Sequence, residues 1–210
     1  MEHVKLTCWV IGGKKLMEPF IIFGLGNPGR EYERTRHNIG FIAIDKLSIA
    51  WKIDLSRVRY KSLTGEGSFN DTKVILVKPL TFMNRSGNAV QSFINFYKIT
   101  PDRVLVIHDD LDLPFGSLRI RSSGGSAGQR GMQSIITRIG TNEFSRLRVG
   151  IGRPPGRMDA MDYVLQKFSE KDQQDLDFVL EAIVGAVETL IKDGADKAMT
   201  HFNHSVLDDE

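Results

Sequence analysis

Two histidines stand where this chain could do chemistry. Of its five, His3 is near the amino terminus and His201 and His204 are near the carboxyl terminus, which leaves His37 and His108. His37 sits between Arg36 and Asn38, after a polar loop and before an apolar segment. The stretch HDDLDLP offers Asp109, Asp110 and Asp112 directly after an apolar run. A carboxylate accepting the Nδ1–H of His37 would fix the ring's tautomer and stabilise its imidazolium. The other ring nitrogen could then activate water as a general base. A metal competes for the same residue types. The chain has no HxH, HExxH or CxxC spacing, and LDLP turns the chain and is expected to scatter the three carboxylates. The lone Cys8 lies in the amino-terminal segment, so attack by water is favoured over a covalent route.

Other polar residues fall at the ends of apolar runs. Gly24, Gly26 and Gly29 have the G-x-G-x-x-G spacing of a dinucleotide site. Such a site needs a helix opening on the glycine turn. Pro28 interrupts the motif, and Arg30 to Asn38 shows no helical apolar stripe, so NAD is not the expected ligand. The motif instead brings Asn27 to a strand end. Asn84, in TFMNRSGNAV, also follows a strand pattern; its amide suits an ester or amide substrate and would equally serve as a helix cap. SSGGSAGQRGMQSII places four glycines before a helix, where backbone N–H groups can meet an anion; a plain flexible loop reads the same way. Eight arginines fall from Arg119 to Arg157 with Glu143 as the only acid, and Arg119 and Arg121 share one strand face. Phosphate is the anion this block suits.

The elements that must position these groups alternate. FIIFGL, KVILVKP (73–79), RVLVIHDD (103–110), SLRIR (117–121) and RLRVGIG (146–152) read as strands. Ile44, Leu47 and Trp51 form one helical stripe, Val90, Phe93, Ile94 and Tyr97 a second, and Met132, Ile135, Ile136 and Ile139 a third. Ser169 with Asp172 resembles a capping box opening a long helix, and Gly194 is a plausible stop. RPPGRMDAMDY reads as a mobile connection. The expected fold is α/β: a single domain over 19–200 with a twisted mixed, mostly parallel sheet sandwiched between helices. Residues 1–18 read as an extension and 201–210 as a tail. Ligands in such sheets gather beyond the carboxyl ends of the strands, where Asn27, Asn84 and Asp109 fall.

The bulk numbers permit this. The chain has 210 residues, 41% hydrophobic and 26% charged, with net charge +2, enough to bury a core without staples. A single cysteine allows no internal disulfide and fits a reducing compartment. No apolar run reaches the length of a membrane span, and the amino-terminal segment lacks a clear secretory or transit pattern.

Four stretches in this order, GLGNPGREYERTRHNIGF, KPLTFMNRSGNAV, HDDLDLPFGSLRIR and RLRVGIGRPPG, resemble the bacterial-type peptidyl-tRNA hydrolases over about Phe20 to at least Gly194. The resemblance implies a monomeric α/β hydrolase without metal or cofactor that cleaves the ester joining a peptide to the 3′ ribose of tRNA. It assigns His37 as general base and Asp109 as its orienting partner. It puts Asn27 and Asn84 on the substrate, Met83 and Tyr32 along the cleft, and Arg119, Arg121 and Arg148 on tRNA phosphate. The family's glycine-rich loop usually reads G-G-H-N-G, whereas here it is Gly128-Gln129-Arg130-Gly131. Arg130 cannot accept a hydrogen bond; it could bind a terminal tRNA phosphate or the ester oxyanion, or equally signal weakened turnover, while Gln129 keeps amide chemistry. Related chloroplast proteins of this fold act as RNA-splicing cofactors, so a non-catalytic RNA-binding role is the alternative, against which the intact Asn27, His37, Asn84 and Asp109 argue. RPPGRMDAMDYVLQKFS resembles the plastid and cyanobacterial branch. A cytoplasmic location is expected, with a plastid or mitochondrion as the alternative.

Overall fold

The computed structural model describes residues 18–207 together with two short paired strands, β1 (Val10–Ile11) and β2 (Lys14–Lys15). The rest of the expected 1–18 extension and residues 208–210 lie outside the described residues.

Seven further strands form one sheet: β3 (Phe20–Gly24), β4 (Arg57–Arg59), β5 (Ser62–Phe69), β6 (Thr72–Pro79), β7 (Val104–Asp110), β8 (Leu118–Arg121) and β9 (Ser145–Gly150). Their spatial order is β4-β5-β6-β3-β7-β9-β8. The central strands β6, β3, β7 and β9 run parallel, and both edges are antiparallel. All five residues of β3 and all seven of β7, including His108, Asp109 and Asp110 at its end, are buried, as befits central strands covered on both faces.

Alternation along β3 divides the core. Phe20 and Ile22 face one side with α1 (Ile39–Trp51) and α5 (Glu170–Asp193), while Ile21 and Phe23 face the other with α2 (Ser86–Tyr97) and α3 (Arg130–Ile139). Each fully buried isoleucine of β3 contributes about 1.5–3 kcal/mol relative to exposure. Phe23 meets Phe93 of α2 edge-on at 5.6 Å. The expected capping box is present: the Ser169 hydroxyl accepts from the Asp172 N–H at 3.1 Å. Gly194 ends α5 with φ 91°, and a further helix, α6 (Ala195–Phe202), follows it. The chain after α6 is tied down rather than trailing: the Leu118 N–H donates to the His204 carbonyl at 3.0 Å and the Ile120 N–H to Asn203 Oδ1 at 2.6 Å. At the end of RPPGRMDAMDY and running one residue past it, a short helix, α4 (Ala160–Val164), forms, capped by the Asp159 side chain.

The glycine motif has a packing role. A Cβ on Gly24 would lie 2.1 Å from the Gly40 carbonyl oxygen, and one on Gly40 would lie 2.4 Å from the Leu25 nitrogen. These two glycines let the start of α1 press directly on the end of β3. That contact delivers His37, two residues before α1, to the carboxyl end of the sheet.

Candidate active site

His37 and Asp109 meet. The Nδ1–H of His37 donates to Asp109 Oδ2 at 2.8 Å, across 72 residues of sequence. Asp109 is the next-to-last residue of β7 and is 4% exposed. Burial pushes its carboxyl group up, but the His37 ring and the hydrogen bonds from His37 and Gln129 outweigh burial and hold it below the ordinary carboxylate range. An ionised Asp109 can only accept, so it fixes His37 as the Nδ1–H tautomer and leaves Nε2 to take a proton.

The other carboxylate oxygen is also held. Gln129 Nε2 donates to Asp109 Oδ1 at 3.0 Å and contacts Met83 Sδ at 3.2 Å. Gln129 Oε1 accepts from the Met132 N–H at 2.9 Å, which makes Gln129 the N-cap of α3. Its amide is therefore committed to the protein at both ends.

Asn27 is positioned by two neighbours. Its side-chain Oδ1 accepts from the Met83 N–H at 2.8 Å, so its Nδ2 is the end left for a ligand. Asn38 grips the backbone of Asn27, accepting from its N–H at 2.8 Å and donating to its carbonyl at 2.9 Å. The loop of Asn27 and the turn of His37 are thereby one unit. Asn84 stands exposed next to the Asn27–Met83 contact, in the short turn Met83–Arg85 that precedes α2.

Arg36 anchors the same turn from the other side. It is 6% exposed, its Nη2 donates to Asp172 Oδ2 at 2.8 Å, and its Nη1 donates to the Lys167 carbonyl. Its guanidinium lies 4.6 Å from the Tyr163 ring centroid, and its N–H donates to the Gln166 carbonyl at 2.9 Å. The segment carrying α4 is thus fastened to the residue next to His37.

These side chains surround a cleft of about 710 Å³ lined by His37, Asp109, Asn27, Asn84, Met83 and Arg130, with Met161, Val164 and Leu165 on the α4 side. Arg130, the first residue of α3, crosses the rim to Met161, with Nη2 3.2 Å from Sδ. Tyr32 does not line the cleft; its carbonyl holds the Thr35 hydroxyl at 2.8 Å. Arg119, Arg121 and Arg148 lie beyond the cleft on the β8–β9 edge, where the register pairs Arg119 with Arg148 and Arg121 with Arg146 on one face. Arg148 is ion-paired through Nε to Asp110. Arg146 is 2% exposed and spends its donors on the carbonyls of Gly124, Gly125, Asn142 and Phe144. Burial, then the charge of Arg148, lowers its pKa to about 10. Arg146 is therefore a tether for the glycine-rich loop, whose carbonyls of Gly124 and Gly125 turn inward to it. The three carboxylates of HDDLDLP are separately engaged, Asp109 with His37, Asp110 with Arg148 and Asp112 with Arg153.

Sequence reasoning missed the positioning roles of Gln129, Asn38 and Arg36. Asn38 and Arg36 flank His37 and could have been found by that adjacency; the partner of Gln129 had no local signal.

The geometry can be set beside known proteins. Residues 21–210 match the family model described as peptidyl-tRNA hydrolase. A chloroplastic peptidyl-tRNA hydrolase of Arabidopsis thaliana is 46% identical over 189 residues, covering 90% of this chain and 66% of that protein. A peptidyl-tRNA hydrolase of Chloroflexus aurantiacus is 49% identical over 185 residues, covering 88% of this chain and 98% of its own length. A crystal structure of peptidyl-tRNA hydrolase from Acinetobacter baumannii superposes with TM-score 0.84 at 35% identity, covering 92% of this chain and all of that one (100%). Motif order, sheet topology and a match running from β3 to the last residue agree: this chain belongs to the peptidyl-tRNA hydrolase family.

Proposed function

We infer that the cleft hydrolyses peptidyl-tRNA with a water activated by His37. The reaction class follows from the family; the roles of the residues rest on the His37–Asp109 hydrogen bond, which leaves one imidazole nitrogen basic and facing the cleft. Water attacks the ester carbonyl carbon and gives a proton to His37 Nε2. Asp109 stabilises the imidazolium that forms. The Nδ2 group of Asn27, turned outward because Oδ1 is held by Met83, is placed to donate to the developing oxyanion. The tetrahedral adduct then breaks its bond to the ribose oxygen, which takes the proton back from His37, releasing a peptide carboxylate and a free 3′-hydroxyl. Asn84 offers an amide to the acyl chain from the Met83–Arg85 turn.

The RNA arm is assigned to the β8–β9 edge. Arg119 and Arg121 alternate outward from the buried Leu118 and Ile120, and neither side chain is hydrogen-bonded or ion-paired among the described residues. Arg148 has a second partner in Asp110, so its contribution to phosphate is the smallest of the three. Arg130 adds a cation at the cleft rim. The paired base and carboxylate argue for catalysis over the non-catalytic RNA-binding alternative. Among the described residues no helix is long and apolar enough to cross a membrane, and the chloroplastic relative supports a plastid location.

Hydrolysis of N-acetyl-aminoacyl-tRNA by the wild type and by His37→Ala tests the assignment. The variant should be slower by about 100-fold or more, the scale of general-base loss. Turnover equal to wild type would remove His37 from the reaction.

A further inference from the structure

A second cavity, of about 530 Å³, adjoins the cleft, and Phe82 and Arg85 line both. It is bounded by the turn between β4 and β5, the chain after β6, the outer face of α2 and the end of α3. Three cations line it: Lys61, Arg85 and Arg138. No carboxylate does, and none of the three is ion-paired among the described residues. Tyr60 and Phe82 supply aromatic walls. The Thr81 hydroxyl on its wall is buried without a hydrogen-bond partner.

Its entrance turn is built at a cost. Tyr60 and Lys61 form a two-residue hairpin turn with φ of 49° and 55°, the left-handed conformation that favours Asn and Gly. The neighbouring hairpin between β5 and β6 makes the same kind of turn with Asn70 and Asp71, residues that suit it. Packing accounts for Tyr60, whose ring meets Phe93 at 5.1 Å and Phe96 at 5.4 Å. It does not account for Lys61, which is exposed beside the cavity.

We propose that this cavity is a subsite for an acidic side chain of the peptide arm of the substrate. The inference rests on the hydrolase reading above. Along the sheet, the order is this cavity at β4–β6, the reacting pair at β3 and β7, then the arginine stripe at β9–β8. An ester has two arms that leave in opposite directions. With RNA over the arginine stripe, the peptide runs past Phe82 and Arg85 toward the cavity. Unpaired cations with aromatic walls then select carboxylates on that arm and oppose lysine.

The test uses N-acetyl-di- and tripeptidyl-tRNAs that differ only in aspartate or lysine at the amino-terminal residue. Wild-type kcat/KM should favour aspartate by about five-fold in at least one length, through KM, the scale of a partly exposed ion pair. Lys61→Glu with Arg138→Glu should reverse the preference, and Lys61→Glu alone, on an exposed turn, should erode it. Equal kcat/KM for the two side chains in the wild type overturns the subsite. So does a variant that slows both substrates alike with a shallower salt dependence, which would make the cavity an RNA contact. Failure of the wild type to cleave N-acetyl-aminoacyl-tRNA would remove the hydrolase reading and this one with it, whereas cleavage without side-chain preference removes this one alone.

Discussion

Replacing Asp109 with Asn exposes how the site holds its proton, because Gln129 dictates which way the new amide must face. Gln129 Oε1 is occupied by the Met132 N–H, so its Nε2 must keep donating toward residue 109. In Asp109→Asn the carbonyl oxygen can serve Gln129 or His37, but not both. If it faces His37, two NH₂ groups confront each other at Gln129, leaving a buried donor unsatisfied at about 1–3 kcal/mol. If it faces Gln129, the asparagine NH₂ faces His37 Nδ1 and forces the ring into the Nε2–H tautomer, which cannot accept a proton from water. The second arrangement satisfies every group and is preferred, so the productive state falls to roughly a tenth to a hundredth of the population. Loss of the charge-assisted bond to the imidazolium removes about another 1.5–3 kcal/mol. Together these lower kcat by about 100- to 10,000-fold, since each 1.4 kcal/mol is ten-fold. Adding Gln129→Met removes the conflicting donor, frees the asparagine oxygen for His37, and should restore about ten-fold of the loss even though Gln129→Met alone slows the enzyme. The assay is single-turnover hydrolysis of N-acetyl-aminoacyl-tRNA in the four-member cycle, with thermal melts to track the lost cap of α3, worth about 1 kcal/mol. A double variant as slow as or slower than Asp109→Asn refutes the account of Gln129.

Three further outcomes follow from the geometry. Arg119→Ala with Arg121→Ala should weaken binding of the tRNA substrate and reduce the slope of log K against log salt by about one to two; an unaltered slope would move the phosphate site elsewhere. Arg130 is a cation at the first residue of α3, where the helix dipole disfavours it. Arg130→Asn should therefore raise stability by about 0.3–1 kcal/mol while raising KM, and a variant with unchanged KM would show that the rim cation does not meet substrate. His108 is 2% exposed, and burial lowers its pKa from 6.5 despite the neighbouring Asp109 and Asp110. The unfolded chain then takes up a proton that the folded one refuses, so stability is lost as pH falls below about 6.5, by at most ~1.4 kcal/mol per pH unit from this group. His108→Asn should flatten that decline in urea midpoints measured between neutral and mildly acidic pH; an identical slope would put the acid sensitivity in other groups.

Much of this protein was legible before any coordinates. Apolar runs of strand length, three helical stripes, the capping box at Ser169 and the stop at Gly194 are local patterns, and local patterns survive reading in one dimension. The polar residues at strand ends picked out Asp109, Asn27 and Asn84, because α/β sheets expose their active groups there, and elimination among five histidines left His37 and His108. What did not show was the edge hairpin of β4 and β5, whose small and polar residues carry a weak strand signal and whose turn uses Tyr60 and Lys61 instead of turn formers. The five-residue α4 was equally hidden, since so short a helix is held by its cap and by packing rather than by a periodic stripe.

Sequence alone determined the cast and the chemistry: an imidazole, a carboxylate at a strand end, two amides and an arginine block. Only the tertiary structure decided the pairings. Asp109 has two oxygens and several donors within the chain to choose from; packing of α3 on the sheet gave one of them to Gln129 and left the other for His37. On the β8–β9 face, the carbonyls of Gly124, Gly125, Asn142 and Phe144 bury Arg146, while Arg121, its register partner on the same face, stays exposed. Hydrogen-bond partners depend on distances of a few tenths of a nanometre between residues far apart in the chain. No composition, period or spacing encodes those distances until the sheet has brought its strand ends together.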